Sequence, residues 1–185
     1  IVLEDVEIRI ADLEIGDEVK KNGNIGVVEV KGPNVCKGYW KQPEKTKSEF
    51  RDGGYFITGD MGFLDQDNYL TIVGRNKDLI ITGGLNVYPK EIETVIDEDS
   101  NVEESAVVGV SHPDFGEGIL AIIVEKKGHS INLDVLNETL RKNLAAFKLP
   151  KKIHVIKELP RNSMGKVQKN VLRDMYRDEF SDTNK

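Results

Sequence analysis

The hydrophobic and polar positions change rhythm partway along the chain. Up to about residue 75, apolar residues come in short alternating runs separated by turn residues. Residues 6–10 alternate as Val-Glu-Ile-Arg-Ile, residues 26–31 predict a second strand that stops at Gly32-Pro33, and residues 55–57 follow the Gly53-Gly54 turn. Residues 61–64 and 69–73 flank the polar stretch Asp65-Gln-Asp-Asn68, the pattern of a hairpin. One short helix is predicted within residues 42–50, where Pro43 suits a first helical turn because its missing N–H would have no partner there.

From about Lys77 strands alternate with helices. Residues 78–82 predict a short strand, and Pro89 opens a helix with Ile92, Val95 and Ile96 on one face. Residues 104–110 and 119–125 are strands around the loop His112-Pro-Asp-Phe-Gly-Glu-Gly118. Residues 133–144 form an amphipathic helix with Leu133, Leu136, Leu140 and Leu144 in register. A strand over 152–156 and a helix over 167–176 complete the pattern. The joint between the two rhythms falls at Gly74-Arg75-Asn76-Lys77, and the tail after Phe180 is polar.

Composition sharpens this picture only at its edges. Hydrophobic residues make up 38% and charged residues 31%, an ordinary globular mix. Lys plus Arg total 26 against 32 for Asp plus Glu, a formal net charge of -6, which argues against a nucleic-acid partner. The one cysteine, Cys36, can form no internal disulfide, which fits a reducing compartment and a filler role for the thiol. No apolar run approaches the ~20 residues of a membrane span. The chain starts on Ile1-Val2-Leu3 with no initiator Met, as if cut from within a longer protein.

Three segments could carry chemistry. In Thr58-Gly59-Asp60 a glycine frees the backbone to turn and a carboxylate can accept two hydrogen bonds from a vicinal diol. For the tripeptide alone an Asp in an ordinary turn is the favoured reading. In Thr82-Gly83-Gly84-Leu85-Asn86 two glycines permit close approach of a ligand to the backbone, or simply a tight turn. In Leu159-Pro-Arg-Asn-Ser-Met-Gly-Lys166 a lysine on a glycine-containing loop can neutralise charge developing on phosphorus or a carboxylate, although on spacing alone a solvated surface lysine is the favoured reading. It is no P-loop, because Val167 follows Lys166 and Pro160 stands where a glycine is required. His112, His129 and His154 lie far apart, so no metal-ligand spacing is present, and there is no GxSxG elbow.

Taken in order, these segments resemble the adenylate-forming superfamily of acyl-CoA synthetases, luciferases and nonribosomal-peptide adenylation domains. The resemblance runs through Gly32-Pro-Asn-Val-Cys-Lys-Gly-Tyr-Trp-Lys-Gln-Pro-Glu-Lys-Thr46 and Gly54-Tyr-Phe-Ile-Thr-Gly-Asp60. It continues in Gly74-Arg-Asn-Lys-Asp-Leu-Ile-Ile-Thr-Gly-Gly-Leu-Asn-Val-Tyr-Pro-Lys-Glu-Ile-Glu93 and closes on Pro160-Arg-Asn-Ser-Met-Gly-Lys-Val-Gln-Lys169, covering about residues 5–175. Gly83 to Glu91, His112 to Gly118 and Leu159 to Asn170 are worded most like malonyl-CoA synthetases.

The resemblance implies a two-step reaction. A carboxylate attacks the α-phosphate of ATP, bound with Mg²⁺, and coenzyme A then displaces AMP after a C-terminal lid rotates. It implies ribose contacts for Asp60 and Arg75, the hinge for Lys77, the pantetheine path for Gly83 and Gly84, and the catalytic adenylation role for Lys166. Some relatives carry Arg where this chain has Asn86, so no phosphate contact is expected there. The loop that cradles the ATP phosphates and the acidic residue that helps hold Mg²⁺ lie upstream in the family and are absent here. The small carboxylic acid, ATP and coenzyme A would therefore bind with the help of a missing N-terminal domain, and the fragment alone is expected to be inactive.

The expected fold is α+β. Residues 1–75 would be the β-rich end of the large adenylation domain, a small and incomplete β-barrel-like subdomain. Residues 76–185 would be a mobile lid around a three-stranded sheet. Exposed strand edges would favour a dimer or swapped pairing. The cytoplasm is the expected location, with the mitochondrial matrix the alternative in a eukaryote. The rival readings are another short- or medium-chain acyl- or aryl-CoA ligase, an adenylation domain serving a carrier protein, and a non-catalytic nucleotide- or CoA-binding module.

Overall fold

The computed structural model describes residues 5–12 and 19–181. The chain divides into two compact units, Ile1–Lys77 and Asp78–Lys185.

In the first unit, β1 (Glu7–Ala11), β2 (Gly26–Lys31), a short helix α1 (Pro43–Glu49), β3 (Phe56–Leu64) and β4 (Leu70–Arg75) follow in order. The four strands form one antiparallel sheet in sequential order, a meander. Among the described residues the sheet is open, with β1 and β4 at its edges and no barrel closure, in keeping with the incomplete subdomain expected. Ile10, Ala11, Val27, Val28 and Met61 are its buried apolar side chains. Buried among them is a charge: Glu29 is fully enclosed and takes Arg9 Nη2 at 2.7 Å and Arg51 Nε at 2.8 Å. Both arginines keep part of their surface in water, which lowers the cost of burying their partner.

The second unit contains β5 (Ile80–Thr82), β6 (Leu85–Val87), α2 (Pro89–Asp97), β7 (Val102–His112), β8 (Gly116–Glu125), α3 (Leu133–Asn143), β9 (Lys152–Ile156) and α4 (Lys169–Met175). Its centre is the three-stranded arrangement expected from the sequence, with β7 antiparallel and β9 parallel to β8. The hairpin β5–β6 joins through Thr82 opposite Gly116 and brings the sheet to five strands. The sheet is covered on both faces, which is why β8 reads as an unbroken apolar run rather than an alternation. Ile119, Ala121 and Ile123 face α2 and α3 through Ile92, Ile96, Leu136 and Leu140. Leu120, Ile122 and Val124 pack with Leu159, Leu172 of α4 and Phe180.

Local chemistry sets the helix ends. Pro89 stands in the first turn of α2. Asn132 caps α3, its side chain accepting from the amides of Asp134 at 3.0 Å and Val135 at 3.2 Å. Leu136, Leu140 and Leu144 are buried as the pattern required, whereas Leu133, at the first helical position, is exposed. Among the described residues no helix is long and apolar enough to cross a membrane.

Candidate functional site

The first unit places Asp60 and Arg75 opposite each other on β3 and β4. The sequence reading put Thr58-Gly59-Asp60 at a turn after a strand, but β3 runs straight through it. The register explains how. Val27 pairs with Met61 and Glu29 with Ile57, so three residues of β3 stand against Val28 alone. This is a β-bulge, and bulges bend a strand and re-aim side chains. Gly59 takes φ +74°, a left-handed conformation that its missing Cβ makes cheap. The Thr58 hydroxyl repairs the interrupted ladder, donating to Val28 O at 2.7 Å and accepting from the Asp60 amide at 3.0 Å.

On the other side Asp60 Oδ1 receives Arg75 Nε at 2.7 Å, with Arg75 about half exposed and Asp60 less so. An ion pair this open stabilises the fold by about 0–1 kcal/mol, so its geometry matters more than its contribution to stability. The pair is a carboxylate with acceptor capacity to spare beside a planar donor fork, an arrangement that can take both hydroxyls of a diol. Lys77 follows two residues later, in the 3-10 turn Asn76–Asp78.

In the second unit Gly83 and Gly84 are the whole turn of the β5–β6 hairpin. Thr82 and Leu85 pair, and the glycines take φ +57° and +78°, the positive pair that a tight two-residue hairpin demands. A Cβ on Gly84 would meet nothing within 4 Å, so its requirement is conformational and its outer side is open. The Gly83 amide donates to Phe115 O at 2.9 Å, which ties this turn to the β7–β8 turn. The seven-residue loop expected from His112 to Gly118 is correspondingly short, because β7 runs to His112 and β8 starts at Gly116. Asn86 lies on β6 and is exposed.

Lys166 is exposed near the tip of a small hairpin between Pro160 and Gln168. Arg161 pairs with Val167 across it, and Gln168 N donates to Pro160 O at 2.8 Å. The adjoining α4 is anchored by two ion pairs. Lys169 Nζ reaches Glu93 Oε1 of α2 at 2.5 Å, and Arg173 Nη2 reaches Asp78 Oδ1 at 2.7 Å. Glu93 is buried, and the same oxygen accepts from the Val107 amide at 2.9 Å. Sequence reasoning named Lys166 but passed over Asn162, Arg161 and Glu104, which hold its loop. An Asn two residues before Met164 is a recognisable turn signal, whereas nothing local announces Glu104, 57 residues from its partner. Among the described residues no group of three or more His, Cys, Asp or Glu is arranged to hold a metal ion.

The AMP-binding enzyme C-terminal domain family matches residues 91–166. A 2-succinylbenzoate–CoA ligase from Geobacillus sp. (strain WCH70) is 39% identical over 163 residues, 85% of this chain and 33% of that protein. A long-chain-fatty-acid–CoA ligase from Bacillus subtilis is 43% identical over 142 residues, 77% of this chain and 25% of its own length. ATP-bound MatB from Rhodopseudomonas palustris superposes with a TM-score of 0.90 at 56% identity, covering 96% of this chain and 35% of MatB. The chain thus spans about a third or less of the length of these relatives. With the family match, the ligase relatives and the shared α+β fold together, the chain belongs to the adenylate-forming acyl-CoA synthetase superfamily and corresponds to its C-terminal portion.

Proposed function

We propose that this chain is the C-terminal portion of an AMP-forming acid–CoA ligase whose carboxylate substrate is malonate. In the first step a carboxylate oxygen attacks the α-phosphorus of ATP, the bond to the β-phosphate breaks, and pyrophosphate leaves. In the second the coenzyme A sulfur, having lost its proton, attacks the acyl carbon and AMP departs. Asp60 accepts hydrogen bonds from the ribose hydroxyls, and Arg75 holds that carboxylate and the nucleotide in register. Lys166 neutralises the charge that builds between the carboxylate and the α-phosphate. Gly83 and Gly84 leave room for the pantetheine arm, and Lys77 lies at the hinge.

In this reading residues 1–75 end the large adenylation domain and residues 76–185 are the mobile lid. A lid that presents different faces in the two steps accounts for two chemistries in one protein. The location that goes with this reading is the cytoplasm, with the mitochondrial matrix the alternative in a eukaryote, since both hold ATP and coenzyme A. The phosphate-cradling loop and the Mg²⁺ ligand would come from an upstream domain, so the 185-residue chain alone should release no AMP. CoA-dependent AMP release by the purified chain would contradict this.

The observation that carries the reading is the Asp60–Arg75 pair, set by the β3 bulge in a chain of this family. The choice of malonate is supported by the wording of the Gly83, His112 and Lys166 segments, whereas the 2-succinylbenzoate and long-chain-fatty-acid ligases are named for other acids. Those two ligases support the second reading, another acyl- or aryl-CoA ligase. The deciding experiment is CoA-dependent AMP release by the full-length parent enzyme with malonate, methylmalonate, acetate and octanoate. Strongest release with malonate is expected. A preference for a monocarboxylate would keep the ligase mechanism and remove malonate.

A further inference from the structure

We propose that Asn162 and Arg161 are positioning residues for Lys166, holding its backbone at a fixed place above β7 so that the ammonium is delivered in adenylation geometry. This inference rests on the reading of Lys166 as the adenylation lysine.

Both backbone polar groups of Lys166 are bonded to one residue. Its amide donates to Asn162 Oδ1 at 2.9 Å, and its carbonyl accepts from the Asn162 amide at 3.0 Å. The same Oδ1 accepts from Met164 N at 3.0 Å, and the Asn162 carbonyl accepts from Gly165 N at 2.9 Å. One asparagine therefore closes the whole tip from Ser163 to Lys166. Arg161 makes the second attachment. Its Nη1 donates to Gly165 O at 2.6 Å while Nη2 pairs with Glu104 of β7, so one planar fork joins the residue before Lys166 to the central sheet.

A hairpin tip needs neither attachment simply to turn. Gly165, at φ +76°, already supplies the reversal. The tip is exposed, Met164 being 73% accessible, and exposed tips with few apolar contacts are the first parts of a fold to open. A lysine also carries about 2 kcal/mol of side-chain rotamer entropy, so its delivery depends on how little else is left free. Asn162 and Arg161 remove the backbone share of that freedom. Misplacing a reacting group by about 1 Å costs roughly 10²-fold in rate, which sets the size of effect to expect.

The test uses the full-length parent enzyme and measures the two half-reactions separately, with Lys166→Ala, Asn162→Ala, Asn162→Asp and Glu104→Ala side by side. Asn162→Ala should lower kcat of adenylation roughly 10- to 100-fold. KM for ATP and carboxylate, and thioester formation from supplied acyl-adenylate, should stay within about two-fold, because positioning and not uniform binding is lost. Asn162→Asp, whose carboxylate offers the same acceptor, should recover most of the rate. Glu104→Ala, which leaves Arg161 without its sheet anchor, should fall between wild type and Asn162→Ala.

Wild-type adenylation by Asn162→Ala while Lys166→Ala is inactive would overturn the inference and leave the reading of Lys166 intact. Equal loss of both half-reactions, or no recovery with Asn162→Asp, would also overturn it. Normal adenylation by Lys166→Ala would instead remove the reading on which the inference rests.

Discussion

The two units solve the burial problem differently. The second has a sheet enclosed on both faces, with α2 and α3 on one side and Leu159, α4 and Phe180 on the other. The first buries only a few apolar side chains among its described residues and encloses a glutamate with them, while Trp40, Tyr69 and Ile72 stay exposed on its loop and strands. A fold stabilised by two apolar layers can stand alone, whereas a four-stranded sheet with a sparse core and a buried ion cluster is marginal. The difference extends to the candidate residues. Asp60 and Arg75 sit on strands and constrain each other, while Lys166 sits on a loop whose tethers run through its backbone.

The sharpest way to break this comparison is to separate the halves. Residues 78–185 should unfold in one cooperative urea transition, and residues 1–77 should show none. A cooperative transition in the smaller piece would contradict the contrast. Within the full chain, Arg51→Ala should destabilise the first unit by about 1–3 kcal/mol, because it deprives an enclosed carboxylate of a charged hydrogen bond. Glu29→Leu should cost less than Arg51→Ala, since an apolar side chain there needs no partner. Denaturant midpoints measured on both variants decide the order.

Two glycine substitutions sharpen the functional side. Gly59→Ala and Gly84→Ala each force a side chain into left-handed backbone, at about 1–2 kcal/mol, with no clash in either place. In the parent enzyme Gly59→Ala should weaken nucleotide binding by shifting Asp60, while Gly84→Ala should slow only thioester formation. Adenylation reduced by Gly84→Ala would assign that turn to the wrong step.

The smallest expected effect is an acid dependence. Glu179 accepts from Lys152 Nζ at 2.9 Å, and that hydrogen bond holds its carboxyl below the ordinary carboxylate range. A carboxylate with a depressed folded-state pKa stabilises the fold above its ordinary value, and the contribution fades as pH falls through the lower, folded value. Glu179→Gln should therefore lower stability near neutrality by under about 1 kcal/mol and flatten the acid limb of the stability profile. An unchanged acid limb would contradict it.

Much of this was legible in the sequence where one rule acted alone. β2 and β9 have the expected bounds, because an apolar run ends at Lys31-Gly32-Pro33 in one case and stands between polar turns in the other. The helices starting at Pro43 and Pro89 were announced by their proline. Legibility failed where two rules competed. The pattern around Gly59 reads as the end of a strand, since a glycine marks either a turn or a bulge and only the Glu29–Ile57 and Val27–Met61 pairings decide between them. β6 was missed because three residues are too few to show alternation before Pro89. The Arg161–Glu104 contact depends on tertiary packing and left no local trace.

The central claim is that Lys166 serves the first half-reaction and not the second, and one measurement addresses it directly. In the full-length parent enzyme carrying Lys166→Ala, carboxylate-dependent ATP–pyrophosphate exchange and thioester formation from supplied acyl-adenylate are followed in parallel. The account predicts exchange reduced by roughly 10²-fold or more, with thioester formation near wild type. Equal loss in both, or exchange at the wild-type rate, would contradict it.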